Sequence, residues 1–364
     1  MMIIHLIAAA RPNFMKVAPL YHALREERLT DPVLVHTGQH YDLNMSDAFF
    51  EDLKVPAPDF HLGVGSGTHA EQTAQVMVTY EKILLRSKPD LVVVVGDVNS
   101  TMAATLAAVK LCVHVAHLEA GLRSYDRTMP EEVNRIVTDS LADILWTPSP
   151  DADDNLLREG VAPQRIHRVG NIMIDSLEML RETIEGQAYY LELRLKRHAY
   201  GVVTMHRPGN VDDPIKLASF CDSITQIAEE IPLVFPVHPR TRKNLQNWGL
   251  LDGLERSRGL MLLEPLSYVP FMNLVFNCRF AVTDSGGIQE ETTYLGIPCL
   301  TIRPNTERPI TTTMGTNRLS TLERLREDVC PILAGQPAKR CEIELWDGKT
   351  AQRVVSSIKT FFPM

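Results

Sequence analysis

The residues of this chain that can do acid–base and anion chemistry stand just after short apolar runs. Arg11 and Lys16 follow residues 3–8, His206 and Arg207 follow 201–205, and His238 and Arg240 follow 233–237. Cations in this position, near the start of a helix, suit the oxygens of a phosphate. The first half places acids in the same register: Asp97 after 91–95, Glu119 after 114–118, and Glu131 in the segment Pro130-Glu131-Glu132-Val133-Asn134-Arg135. After residues 280–283 comes Asp284-Ser285-Gly286-Gly287, whose small residues let backbone N–H groups approach an anion at a helix N-terminus. Carboxylates in one half and anion-binding groups in the other point to proton transfer on a bound anionic substrate.

Each feature also has an ordinary reading. Arg11 and Lys16 fit a solvated first turn of a helix, and Ser285 fits an N-cap with Glu290 and Glu291 complementing the helix dipole. Asp97 fits a cap for a helix from Asn99, Glu119 a bond to a nearby backbone turn, and Glu131 a capping box with Thr128. Other chemistries drop away. There is no G-x-x-x-x-G-K-[ST] loop, and no G-x-G-x-x-G follows the first apolar run, so neither ATP hydrolysis nor nicotinamide binding is favoured.

The elements that must hold these residues read as strands alternating with helices. Continuous apolar runs at 3–8, 33–36, 91–95, 114–118 and 144–147 predict parallel strands covered on both faces. Residues 16–28, 69–85 and 101–111 between them have helical spacing, which gives a repeated βα pattern. The rhythm breaks after Val169-Gly170-Asn171 at the charge-rich stretch 181–198. It resumes with strands at 201–205, 233–237, 261–263, 280–283 and 299–302. Two Rossmann-like halves follow, with ligands expected at the carboxyl ends of strands.

The 364 residues suit two such domains. The balance of 37 basic against 45 acidic residues argues against a nucleic-acid partner. Six cysteines without a C-x-x-C pair imply neither a disulfide framework nor a metal site. The apolar opening has no basic region before it and runs into Arg11-Pro12, so it reads as a buried first strand. No apolar run approaches a membrane span, and the expectation is a soluble, cytoplasmic protein.

The ordered set Arg-Pro-x-x-x-Lys after the first strand, Gly96-Asp97, His117-Leu118-Glu119-Ala120-Gly121-Leu122-Arg123, Pro130-Glu131-Glu132-x-Asn134-Arg135, Gly170-Asn171, His206-Arg207, His238-Pro239, Asp284 to Glu291 and Thr306-Glu307-Arg308-Pro309 resembles the non-hydrolysing UDP-N-acetylglucosamine 2-epimerase family. The likeness runs from the first strand to Asp347-Gly348-Lys349. It implies an α/β fold of the glycosyltransferase-B type with a cleft between two Rossmann-like domains. The implied division is an N-terminal domain over 1–171, a UDP-binding domain over 172–346, and a C-terminal helix over 347–364 crossing back to the first domain. It also implies a homodimer serving cell-surface polysaccharide biosynthesis, with a UDP-sugar as ligand and no cofactor.

The reaction so implied inverts C2 of the sugar, by anti elimination of UDP to 2-acetamidoglucal and re-addition with a proton on the other face. C2–H is not acidified by a carbonyl, so departure of the charged UDP must lead and be stabilised. By the resemblance Asp97, Glu119 and Glu131 are the acid/base carboxylates, and Arg11, Lys16 and His206 meet the diphosphate. Ser285, Gly286 and Gly287 form its backbone cradle, Glu291 binds the ribose, and His238 and Arg308 lie near the nucleotide.

Two segments depart from the family pattern: Ala9-Ala10-Arg11-Pro12-Asn13, where many members read Gly-Thr-Arg-Pro-Glu, and His206-Arg207-Pro208-Gly209-Asn210, where they read His-Arg-x-Glu-Asn. The first is closer to relatives that epimerise UDP-2,3-diacetamido-glucuronic acid, which makes that sugar an alternative substrate. A hydrolysing 2-epimerase and a UDP-sugar glycosyltransferase are further alternatives. Gln39-His40-Tyr41-Asp42 keeps only the first part of the Gln-His-x-x-Gln segment linked to substrate activation, and 63–67 offers no arginine, so weak or absent activation is expected.

Overall fold

Runs of Val, Ile and Leu without polar alternation are buried on both faces, and here they build two all-parallel sheets. A computed structural model describes residues 2–9, 11–28, 30–38, 53–336 and 342–363, with the backbone alone for Arg11 and Pro12. The chain forms two compact units, Met1–Met179 with Glu344–Met364, and Leu180–Ile343.

The first unit contains β1 (Ile4–Ala8), α1 (Arg11–Glu26), β2 (Val33–His36), β3 (Phe60–His61), α2 (His69–Ser87), β4 (Leu91–Val95), α3 (Asn99–Lys110), β5 (His114–Leu118), α4 (Pro130–Leu141), β6 (Ile144–Thr147), α5 (Pro150–Arg158) and β7 (Ile166–Arg168). Its strand order is β3-β2-β1-β4-β5-β6-β7. Every pair is parallel. All five residues of β4 are buried, and Val92 and Val94 pack with Ala103, Ala104 and Ala107 of α3. Small alanines let that helix lie close to the sheet. The next helix, α6 (Ile172–Gly186), contains the point at which one unit gives way to the other.

The second unit adds α7 (Tyr189–Glu192), β8 (Gly201–Thr204), α8 (Pro208–Val211), α9 (Pro214–Glu230), β9 (Leu233–Pro236), α10 (Pro239–Asn247), α11 (Leu251–Glu255), β10 (Leu260–Leu263), α12 (Tyr268–Asn277), β11 (Phe280–Thr283), α13 (Gly286–Leu295), β12 (Cys299–Ile302), α14 (Ile310–Thr313), β13 (Asn317–Ser320) and α15 (Leu325–Leu333). Its order, β10-β9-β8-β11-β12-β13, is also wholly parallel. Helix α16 (Thr350–Phe361) belongs to the first unit and packs on α1. There Trp146 Nε1 donates to Ser357 Oγ at 2.9 Å, and Lys359 Nζ pairs with Glu27 at 2.6 Å.

In each sheet the order reverses beside the first strand, between β1 and β4 and between β8 and β11, which opens a crevice at the strand carboxyl ends. Three strands lie outside the apolar-run reading: β3, β7 and β13. All are sheet edges with partly exposed residues, so continuous hydrophobicity is not required of them. Helix α1 starts at Arg11 rather than near residue 16, directly after β1. Pro12 has the fixed φ that suits a first helical turn.

Candidate active site

The first unit gathers its chemistry at the ends of β1, β4 and β5, next to the reversal point. Helix α1 brings Asn13 and Lys16, β4 runs into Gly96, and β5 runs into Glu119. Lys16 Nζ lies 2.5 Å from Glu119 Oε2, and both side chains are at least nine-tenths buried. Asn13 Nδ2 donates to Val95 O at 3.2 Å. A Cβ on Gly96 would stand 3.1 Å from Lys16 Nζ and 3.6 Å from both Asn13 Nδ2 and Glu119 Oε2, so all three side chains meet over this glycine. Gly96 also has a left-handed φ of 66°.

Glu119 has a left-handed backbone, with φ at 74°. That conformation is costly for a side chain of its kind and tends to be retained at functional sites. Glu119 and Ala120 both donate their N–H groups to Trp146 O at 3.1 Å, which holds the turn. Glu119 Oε1 is buried without a hydrogen-bond partner among the described residues. An acceptor left open in this way is uncommon outside sites that bind or react.

Asp97 receives Arg135 Nη1 on its carboxylate and Asn134 Nδ2 on its backbone oxygen, the latter at 2.8 Å. The same guanidinium reaches Glu132 Oε2 at 2.6 Å, and Glu132 accepts the N–H groups of Ser124 (3.0 Å) and Tyr125 (2.8 Å). Burial pushes the Glu132 carboxyl up, but these N–H groups and Arg135 outweigh it and hold it below the usual carboxylate range. Glu131 lies one residue earlier on the same helix and is half-buried.

These contacts replace the ordinary capping roles. The N-cap of α3 is Val98, without a side-chain cap bond, so Asp97 does not cap that helix. Thr128 Oγ1 donates to Asp126, and the N-cap of α4 is Met129, so Glu131 and Thr128 form no capping box. Glu119 engages Lys16 rather than a backbone turn. Lys16 is correspondingly buried and paired, unlike a cation in a solvated first turn.

A further carboxylate, Asp139 on α4, is fully buried beneath these loops. Its Oδ1 lies 2.6 Å from His117 Nδ1, and its Oδ2 accepts Gly121 N–H at 3.0 Å and Arg123 Nη1 at 2.7 Å. His117 Nε2 in turn donates to Gly96 O at 2.8 Å. Burial raises the Asp139 carboxyl, yet His117 and Arg123 hold it below its ordinary value. Sequence reasoning passed over Asp139. A signal was present, since Glu132, Arg135 and Asp139 follow helical spacing and fall on one face.

In the second unit Asp284, at the end of β11, binds the turn after β8. It accepts the N–H groups of His206 (3.0 Å) and Arg207 (2.8 Å) and lies 2.9 Å from His206 Nδ1. Burial raises its carboxyl, and the bonds from His206 and Arg207 more than offset this, leaving it below the usual range. The His206 and His238 rings are 5.6 Å apart. His238 caps α10 through Nδ1, and burial and then His206 lower its pKa.

Helix α13 begins at Gly286, and its N-cap Ser285 makes no side-chain cap bond. A Cβ on Gly286 would come within 2.7 Å of Arg308 Nη1, whereas one on Gly287 would meet nothing within 4 Å. Gly287 therefore leaves its side of the helix start open. Arg308 Nε pairs with Glu290 Oε1 at 2.8 Å, and its Nη1 meets Glu307. Glu307 also receives Arg303 Nη2 at 2.6 Å and has Arg207 at 4.0 Å. Burial opposes ionisation of Glu307, but Arg308 and Arg303 hold it far below the carboxylate range.

Arg207 is the partly exposed member of this group. Burial first, and then the charge of Arg303, lower its pKa. Arg303 follows β12, so the same strand-end position that singles out His206 and His238 also marks it. Glu291 is buried and accepts Tyr268 Oη at 2.7 Å. Burial lifts its pKa to about 8. Glu290 and Glu291 thus serve side-chain partners beyond the helix dipole. The Arg11 side chain and residues Gln39 to Asp42 lie outside the described residues.

A family model described as UDP-N-acetylglucosamine 2-epimerase matches residues 22–359. This chain belongs to the UDP-N-acetylglucosamine 2-epimerase family. It is a UDP-sugar 2-epimerase, an enzyme of the isomerase class. It is 41% identical over 320 residues to the UDP-N-acetylglucosamine 2-epimerase of Methanocaldococcus jannaschii, covering 86% of this chain and 87% of that one. It is 39% identical over 316 residues to the UDP-2,3-diacetamido-2,3-dideoxy-D-glucuronate 2-epimerase of Pseudomonas aeruginosa, covering 86% of each.

The crystal structure of the Methanocaldococcus jannaschii UDP-GlcNAc 2-epimerase in complex with UDP-GlcNAc and UDP superposes with a TM-score of 0.90 at 39% identity. That match covers 99% of this chain and 100% of the other. The two parallel sheets are accordingly those of a glycosyltransferase-B type fold. Among the described residues no group of three or more His, Cys, Asp or Glu is placed to hold a metal ion, and no helix is long and apolar enough to cross a membrane.

Proposed function

We propose that this epimerase is non-hydrolysing and interconverts UDP-N-acetylglucosamine with UDP-N-acetylmannosamine. The C1–O bond breaks with its electron pair going to UDP, one carboxylate takes the C2 proton, and 2-acetamidoglucal forms. UDP then adds back to C1 while another carboxylate delivers a proton to the opposite face of C2. Asp97, Glu119 and Glu131 are the acid/base group. Arg11, Lys16 and His206 stabilise the departing diphosphate, and the N–H groups at Ser285, Gly286 and Gly287 cradle it. Glu291 takes the ribose, with His238 and Arg308 near the nucleotide. The reading extends to a cytoplasmic homodimer serving cell-surface polysaccharide synthesis.

The observation that carries this reading is Glu119, held with a left-handed φ over Gly96, with one buried carboxylate oxygen unpartnered among the described residues. A carboxylate so placed is preorganised to move a proton. Its other oxygen is fixed by Lys16 Nζ at 2.5 Å, which sets the carboxylate's orientation. The test is UDP-N-acetylglucosamine in deuterated water followed by proton NMR. Both epimers should carry deuterium at C2 with UDP still attached. Free sugar rising in step with UDP would reject the non-hydrolysing reading, and epimers without deuterium would reject proton transfer at C2. The same assay with the 2,3-diacetamido glucuronate analogue tests the sugar on which the Pseudomonas relative acts.

A further inference from the structure

We infer that Asp139 and His117 form a buried positioning pair that sets two of the acid/base carboxylates from one helix. Asp97 and Glu119 sit on separate loops, after β4 and β5, and nothing in the chain order ties those loops together. Helix α4 does so. Arg135 and Asn134 hold Asp97 by its carboxylate and its backbone oxygen. Further along the same helix, Asp139 binds His117 on one oxygen and Gly121 N–H and Arg123 on the other. His117 passes the contact on to Gly96 O.

Gly96 directly precedes Asp97, and Gly121 lies just after Glu119. The pair therefore clamps the backbone on both sides of the point where Lys16, Asn13 and Glu119 meet. His117 and Asp139 are essentially inaccessible to solvent, so neither is placed to touch substrate. The His117 ring is gripped at both nitrogens, by the Asp139 carboxylate at Nδ1 and by the Gly96 carbonyl at Nε2, so its orientation is fixed from two sides. Arg123, which also pairs with Glu159, holds Asp139 from the side away from His117.

This inference rests on Asp97 and Glu119 being acid/base groups of the epimerase, and its test is arranged so that the two can fail separately. Asp139→Asn, His117→Gln and Arg123→Gln are compared with the wild type in kcat and KM for UDP-N-acetylglucosamine, C2 deuterium wash-in, UDP affinity by calorimetry, and Tm. Displacing reacting groups by about 1 Å costs on the order of a hundredfold in rate. Asp139→Asn and His117→Gln should therefore lower kcat and deuterium wash-in together by about 30- to 100-fold. KM and UDP affinity should stay within about twofold, since the chemistry alone is disturbed.

Arg123→Gln should lower Tm as much as Asp139→Asn and His117→Gln do, while kcat falls less than about threefold. If Asp139→Asn does not fold, His117→Gln against Arg123→Gln decides. Full kcat in His117→Gln, or kcat tracking Tm alike across the variants, would overturn the positioning role. A wild type that exchanges no deuterium would instead reject the acid/base roles of Asp97 and Glu119 beneath it.

Discussion

The two units handle charge in opposite ways. In the first, the carboxylates at the strand ends and on α4 are matched to cations: Glu119 to Lys16, Asp97 and Glu132 to Arg135, and Asp139 to Arg123, with the His117 ring on its other oxygen. Breaking such a buried pair from one side strands a charge, so these groups are fixed in place. In the second, Arg207, Arg303 and Arg308 gather around Glu290 and Glu307 beside a helix start whose Gly287 faces open space among the described residues. One region is built to hold acids still. The other gathers arginines beside the helix start proposed to cradle the diphosphate.

The largest effect should come from unbalancing the first region at Glu119, the carboxylate proposed to react. Glu119→Gln keeps the shape but removes proton transfer, so kcat should fall by about a thousandfold, within the range for a lost general acid or base. UDP affinity should change little. Retained C2 deuterium exchange in Glu119→Gln would break the comparison at its base.

Next comes the second region. Gly286→Ala drives a methyl group into Arg308 Nη1, while Gly287→Ala points into open space. The first should weaken UDP binding by about tenfold or more, the worth of a hydrogen bond to a charged group. The second should cost less than about threefold. Titration calorimetry with UDP reads both, and equal losses would show that the crowding around Gly286 is irrelevant.

The sequence made this contrast legible where chemistry sits directly after an apolar run. Asp97, Glu119, His206 and Asp284 are all found that way, because central parallel strands must be apolar and the residues that end them must not be. Edge strands such as β13 escape, since exposure relaxes that demand. The pairing of Lys16 with Glu119 escapes for another reason. Its partners are 103 residues apart, and only the sheet order brings β1 within one strand of β5. Asp139 has no strand end to mark it, and its place in the site is visible only through the three groups its carboxylate touches.

A smaller, pH-dependent effect separates the regions again. Glu291 in the second unit has its pKa raised to about 8 by burial, whereas unfolded it titrates near 4.5. Between those values the folded chain binds a proton that the unfolded chain has lost. Glu291 therefore contributes stability that is full below about pH 4.5 and is lost as pH rises through about 8. Over pH 5 to 8 the Tm of the wild type should fall relative to that of Glu291→Gln. Parallel curves for the two proteins would remove Glu291 from the account.

The smallest effect concerns a buried acid of the first unit that serves backbone. Helix α16 has Lys349 at its N-cap, which makes no side-chain cap bond. Asp175 of α6 supplies the missing acceptor, taking Ala351 N–H at 2.8 Å. It does for α16 what an N-cap side chain normally does, from a distant part of the chain. Asp175→Ala should cost about 1 kcal/mol, the usual worth of a cap. A loss of that size lowers Tm by roughly 1–2 °C in a chain of this length. Asp175→Asn keeps an acceptor and should recover most of it. Because α16 packs on α1, which carries Asn13 and Lys16, kcat in Asp175→Ala reports whether the returning helix also holds the reacting end of α1. An unchanged kcat with a lowered Tm would place the carboxylate geometry under α4 and the strand-end loops alone.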